Sequence, residues 1–306
     1  FTKMLHHYKS LILFGIIFFC INEDIVAVTI SDSTITSNRQ QAIEFVEKIG
    51  DLDTSTYWPN IKPALFLDNL KLNVANPISI YAGKGTNFCG YGALTYLFLQ
   101  HDPLGYAKLL LQLYQDGNAK YGKVNFKPSI AIMEEAGKIK YTGVLDIHPA
   151  EQMWFLSLAD HFKGYLNIFN RKYDPGDECT FWASTNYAKF NRMVRELFNL
   201  NSSARGGDLV RPKVKKLYKY ISERMKTGTV VLYINNRIVH KKNHVTLKLG
   251  IPTHFIVTEK ISLQNGVVTL IFWDYGHRTQ LQLSEAFFKR IVFGISHFTK
   301  KRPGDE

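Results

Sequence analysis

The chain has 306 residues, a formal charge of +12, 45% hydrophobic residues and 21% charged ones. These proportions exclude disorder, collagen-like repeats and a multi-span membrane protein as descriptions of the whole chain, and three cysteines exclude a disulfide scaffold. The positive excess favours anionic partners and is silent about fold.

In chain order, the first readable feature lies at the N-terminus. Met4 is followed by His6, His7 and Lys9, then by an uncharged apolar run from Leu11 to Ile21. That run is shorter than the roughly 20 residues a bilayer demands. A basic start before a short apolar run reads as a secretory signal peptide, residues 1–27, cleaved after Ala27. The protein is therefore expected to be secreted, or held in the periplasm or cell envelope. Cys20 offers a less favoured lipid-anchor site, because Phe18-Phe19 stand where lipidation prefers a small residue. After cleavage Cys89 and Cys179 remain, and their spacing leaves open either one disulfide or one reactive and one buried thiol.

Residues 28–84 read as an N-terminal extension. They are Ser/Thr-rich to 38, helical over 38–50 through Ile43, Val46 and Ile49, and then turn-rich, with Pro59, Pro63 and Pro77 as breakers. Helices are predicted over 89–100 and from Asp102-Pro103 to 116 with Gly117 as the stop. Further helices are predicted over 129–136, 149–163, 184–199 and 211–227, the last opening at Pro212 and closing at Gly228. After Gly228 the hydrophobic period changes to two. Strands are predicted over 229–235, 244–249, 254–263, 267–275 and 278–283. Gln264-Asn265-Gly266 signals a tight hairpin between two of them. A helix over 284–290, capped by Ser284, leads to a last strand over 291–298. The predicted fold class is α+β with segregated layers, a helical half over 40–227 and a sheet half over 228–300. A cleft between two such halves is a natural site.

The sharpest local feature is Gly85-Thr86-Asn87-Phe88-Cys89-Gly90-Tyr91-Gly92. It places a cysteine sulfur at a helix N-terminus, where the partial positive charge stabilises a thiolate. Gly90 and Gly92 are expected to leave room for a substrate backbone. The Cys89 amide supplies one oxyanion donor, and Asn87 is the candidate for the second. A nucleophilic thiol also needs a base and an orienting acceptor. His254 opens a strand after Pro252-Thr253, and Asp274 ends the next strand. Counting outward from the hairpin turn places residue 254 near 274 or 275 across the ladder, so the two are expected to meet.

Other candidates have plainer readings. Asp102 beside His101 is an N-cap rather than half of a metal dyad. His148 and His161 lack ligand companions at metal spacing. His277 is the reserve base. Between residues 205 and 248 twelve Lys/Arg face only Asp208 and Glu223. The predicted helix 211–227 carries Lys213, Lys215, Lys216, Lys219, Arg224 and Lys226, a docking surface for an anionic partner or simply a solvated face. With only Tyr218 and Tyr220 interleaved, no specific nucleic acid is expected.

The order Cys89, a distant His254, then Asp274 resembles the papain-like cysteine peptidase superfamily. The segment N-x-C-G-x-x-A-L at 87–94 is similar to the nucleophile region of its bacterial group that includes bacteriocin-processing peptidases. The tail H-F-I-V-T…D-Y-G…L-S-x-x-F-F from 254 to 288 is similar to the His/Asp end of that group. The match covers 85–100 and 250–295. It implies a papain-like domain over 85–300, with a helical lobe (85–227) carrying Cys89 and an antiparallel sheet lobe (228–300) carrying His254 and Asp274. It further implies a hydrolase acting on amide bonds of a protein or peptide, with no metal or organic cofactor. The chain departs from the family in having no Gln before the cysteine. Two other functions fit the same residues: a catalytically inactive binding protein docked through 205–248, or a deamidase or acyltransferase using the same triad.

Overall fold

The computed structural model describes residues 26–27, 36–83, 85–139, 147–168, 170–235 and 251–301. Residues 1–25, on which the export reading rests, lie outside the described residues, as do the expected strand at 244–249 and the basic residues of 237–248. The fold is mixed α+β. In chain order it comprises β1 (Val26–Ala27), α1 (Arg39–Glu47), α2 (Pro63–Ala75), α3 (Cys89–His101), α4 (Pro103–Asp116), β2 (Ala119–Tyr121), β3 (Val124–Phe126), α5 (Ile130–Glu135), α6 (Pro149–His161) and α7 (Tyr187–Phe198). Then follow β4 (Leu200–Gly206), α8 (Leu217–Met225), β5 (Thr229–Ile234), β6 (His254–Gln264), β7 (Val267–Asp274), β8 (His277–Ser284), α9 (Glu285–Ile291) and β9 (Val292–Lys300).

Local chemistry explains the helix ends. Asn38 and Gln41 form a reciprocal capping box at the start of α1. Asp102 caps α4 through the Gly105 amide, Pro103 fills the first helical position, and Gly117 ends the helix in the left-handed region at φ 67°. Asp102 also accepts from the hydroxyls of Ser37 and Tyr121 at 2.5 and 2.6 Å, which settles its structural role. Ser284 caps α9 through the Phe287 amide.

Three elements depart from the expected pattern. Pro63 does not break structure: it is the first residue of α2, where a missing N–H goes unneeded, and Phe66, Leu70 and Val74 bury one stripe four residues apart. The stretch 200–206 is a strand rather than the end of the helical half. It pairs with β9 along the sheet edge and buries only Leu200, so no alternation betrays it. Pro212 does not open α8, which begins at Leu217 and buries Leu217, Ile221, Ser222 and Met225.

The main sheet is antiparallel in the order β4-β9-β5-β6-β7-β8, with β1 also paired to β6. One face carries Val231, Tyr233, Phe255, Val257 and Trp273 into the large core shared with the helices of the first two thirds of the chain. The other carries Leu232, Ile234, Ile256, Leu270 and Phe272 into a second core closed by α8 and α9.

The β6–β7 register positions the later chemistry. From the turn, Gln264 faces Val267, and the pairing runs unbroken to Lys260 opposite Ile271. The register then shifts, leaving Glu259 as an extra residue, and resumes with Thr258 opposite Phe272 and Val257 opposite Trp273. Continued by one step, it sets Asp274 opposite Ile256, two residues from His254 and on the same face. The count from the turn that placed 254 near 274 or 275 is thus replaced by a diagonal relation, which the bulge creates. Without the shift, Asp274 would stand opposite Val257, three residues from His254 and on the other face. Asn265 and Gly266 (φ 50° and 76°) make a two-residue turn of the type the sequence signalled, and Tyr275 and Gly276 (φ 43° and 85°) make a second.

Candidate active site

Cys89 is the first residue of α3 and is half-buried. The N-cap, Phe88, has no side-chain cap, so the first amides of the helix are not satisfied by a capping side chain. Phe88 is instead an apolar anchor, packed 5.9 Å from Tyr91 and 5.6 Å from Phe155 by ring centres. Before it, Thr86 bonds the Ala82 carbonyl at 2.6 Å and accepts from the Phe88 amide at 3.2 Å, which shapes the approach to the helix. Behind the first turn, Lys189 of α7 is buried and donates to the Tyr91 hydroxyl at 2.7 Å and the Ser184 carbonyl at 3.0 Å. Burial pushes its pKa well down. This network ties α3 to α7 beneath the cysteine.

The two glycines do not open room for a substrate. A Cβ on Gly90 would lie 2.7 Å from Thr185 Cβ, and one on Gly92 would lie 3.1 Å from both Ala82 Cβ and Trp273 Cη2. Their absent side chains admit protein neighbours, not ligand.

The Cys89 sulfur lies 3.6 Å from the carbonyl oxygen of Thr253, the residue before β6. Thr253 is itself held by its amide on the Ile234 carbonyl at 2.9 Å. The next residue, His254, is 1% exposed, and its Nε2 lies 2.6 Å from Oδ1 of Asp274, which is 0% exposed. With Nε2 committed to the carboxylate, Nδ1 is the ring nitrogen that can serve the thiol. Burial by itself pushes the imidazole pKa down. The charge and hydrogen bond of Asp274, with a hydrogen bond to Cys89 and the Cys89 charge, more than offset this and raise it to about 9. The imidazole is therefore paired with Asp274, and the sulfur meets the backbone of the residue directly before it.

Sequence reasoning brought position 275 near His254 but gave Tyr275 no role. Its ring stacks on His254 with centroids 4.4 Å apart and planes 21° apart. Its backbone sits at φ 43°, where a bulky side chain costs roughly 1–3 kcal/mol. The stacked ring is what that strain maintains: it fixes the imidazole plane and shields it from water. The signal was present as Tyr-Gly directly after Asp274. His277 stays on the surface and turns its Nδ1 to the Tyr275 carbonyl at 3.2 Å.

Asn87 is placed otherwise than an oxyanion donor requires. Its side-chain amide donates to the carbonyls of Cys179 and Thr180 at 3.0 and 2.7 Å, and its backbone amide donates to Glu178 at 2.9 Å. It tethers the 178–180 turn to the cysteine loop. Asn87→Ala is accordingly expected to lower the unfolding midpoint by a few degrees. It should not bring the roughly 100- to 1000-fold loss of turnover that follows removal of an oxyanion donor. Thermal unfolding and turnover measured on one variant separate the two.

Cys89 and Cys179 are both free thiols. Among the described residues no group of three His, Cys, Asp or Glu side chains is arranged to hold a metal, and no helix is long and apolar enough to cross a membrane. On the basic segment, Lys213, Lys215, Lys216 and Lys219 are exposed. Tyr220 is flanked by Arg224 and Arg205, 3.3 and 5.6 Å from its ring centre, so its face is already used. Comparison with protein-family models, with curated proteins and with solved structures finds no match to this chain.

Proposed function

We propose that the chain is an exported cysteine hydrolase of amide bonds, most simply a peptidase, with a papain-like division between a helical lobe bearing Cys89 and a sheet lobe bearing His254 and Asp274. One observation carries the reading: a buried imidazole held at 2.6 Å by Asp274, directly after the Thr253 carbonyl that meets, at 3.6 Å, the sulfur of a cysteine at the first turn of a helix. Cys89 thiolate attacks the carbonyl carbon, and the oxyanion is met by the Cys89 amide. The His254 imidazolium protonates the leaving amine as the C–N bond breaks, giving a thioester. Neutral His254 then takes a proton from water, whose oxygen attacks the thioester; the acid leaves and the thiol is restored. Asp274 keeps the ring oriented throughout. Deamidation and acyl transfer share the first half of this cycle and differ in the leaving amine or the acceptor.

Unstructured peptides should be cleaved by the wild type and untouched by Cys89→Ala. One equivalent of iodoacetamide should silence the wild type, with the label on Cys89 and not on Cys179. Cleavage that survives both treatments removes the thiol from the reaction.

Asn87 supports a second reading. Because its amide hydrogens go to two carbonyls, it has none left for an oxyanion. That favours a catalytically inactive relative of such enzymes, docking on an anionic surface through 205–248. Salt-sensitive binding to anionic vesicles, by a protein whose Cys89 alkylates no faster than free cysteine, would select it.

A further inference from the structure

We propose that Glu259 is a positioning residue for the His254–Asp274 pair, holding the bulge that sets both on one face of the sheet; this rests on the hydrolase reading above. Glu259 is the residue left over where the β6–β7 register shifts. Its carboxylate accepts from the Tyr96 hydroxyl at 2.6 Å and pairs with the Arg278 guanidinium. Tyr96 belongs to α3, the helix that begins at Cys89, and its ring stacks on Trp273 with centroids 5.3 Å apart. Trp273 precedes Asp274 and stands opposite Arg278 in the β7–β8 ladder. The helix carrying the thiol, the strand carrying the imidazole and the hairpin carrying the carboxylate thus converge on one side chain.

Stability alone does not account for this clamp. Arg278 is 60% exposed and Glu259 20%, and an ion pair so open to water contributes little. Register is where the clamp acts. If residue 259 rejoined the ladder, the pairing from the turn would continue and Asp274 would pass to the face away from His254. A bulge that re-aims a side chain beside a site is a recurrent device. Here the bulged residue carries a carboxylate bonded to the nucleophile's own helix.

The test uses readouts that a merely structural residue leaves unmoved. In Glu259→Ala, alkylation of Cys89 at pH 7 should fall roughly 10- to 100-fold, and the His254 titration followed by NMR should move to lower pH. Both should occur with little change in the urea midpoint. Glu259→Gln, which still accepts from Tyr96, should recover most of the rate. Wild-type alkylation and an unmoved His254 titration in a destabilised Glu259→Ala would overturn the proposal. If the wild type cleaves no peptide, the hydrolase reading falls on its own, while the His254 titration still decides whether Glu259 positions the pair.

Discussion

Replacing His254 with alanine is expected to lower turnover on an amide substrate at least about 10,000-fold, and Asp274→Ala about 100- to 10,000-fold. On the proposed mechanism the first change removes the proton carrier. The second removes what holds it: with Asp274 gone, the burial that already pushes the imidazole pKa down acts with much less opposition. The activity profile reports this directly. In the wild type, activity should fall on the alkaline side near pH 9, where His254 gives up its proton. In Asp274→Ala that limb should move toward pH 6.5 or below, so that at neutral pH the sulfur faces an uncharged ring. Asp274→Asn keeps an acceptor and should lose less. A limb that stays near 9 in Asp274→Ala would show that the carboxylate does not set the imidazole.

The same group makes stability depend on pH. The folded-state pKa of about 9 exceeds the ordinary value of 6.5, so the protonated ring binds more tightly in the folded chain. Its contribution is complete below pH 6.5 and disappears as pH rises through 9. Thermal midpoints should decline across that window in the wild type and decline less in Asp274→Ala.

What was legible in the sequence is what acts within a turn or two of chain. Asp102-Pro103, Gly117 and Ser284 cap or stop helices through atoms three or four residues away, and the structure places them accordingly. Cys89 at the head of α3 was readable for the same reason. The strand β4 was not, because an edge strand that buries one residue carries no period. The partners of Asn87 lie 92 and 93 residues away, and nothing beside it in sequence announces them. The bulged residue, Glu259, takes its hydrogen bond from Tyr96, 163 residues distant. An alternation pattern cannot foretell it: the hairpin count rightly brought His254 to Asp274, which it meets at 2.6 Å, but had the two directly opposite instead of diagonal.

Trp273→Ala is expected to destabilise the fold by about 3–5 kcal/mol, lowering the thermal midpoint by roughly 6–20 °C. The indole is 0% exposed and lies between Tyr96 and the gap left by Gly92, and its Nε1 donates to the Ile78 carbonyl at 3.1 Å. Alanine would leave a void between α3 and the sheet that neither backbone can close, because the β6–β7 ladder and α3 are each fixed by their own hydrogen bonds. Trp273→Phe separates the two contributions. It keeps much of the packing against Tyr96 but leaves the Ile78 carbonyl without its donor, at a cost of about 1–3 kcal/mol. Urea unfolding should show a lower midpoint with an unchanged slope in both variants. The contrast with Asp274→Ala is the sharper measurement: one residue apart on β7, Trp273 should govern how firmly α3 and the sheet hold together and Asp274 how the imidazole titrates. Equal losses of stability in the two variants would mean that the carboxylate is packing rather than chemistry.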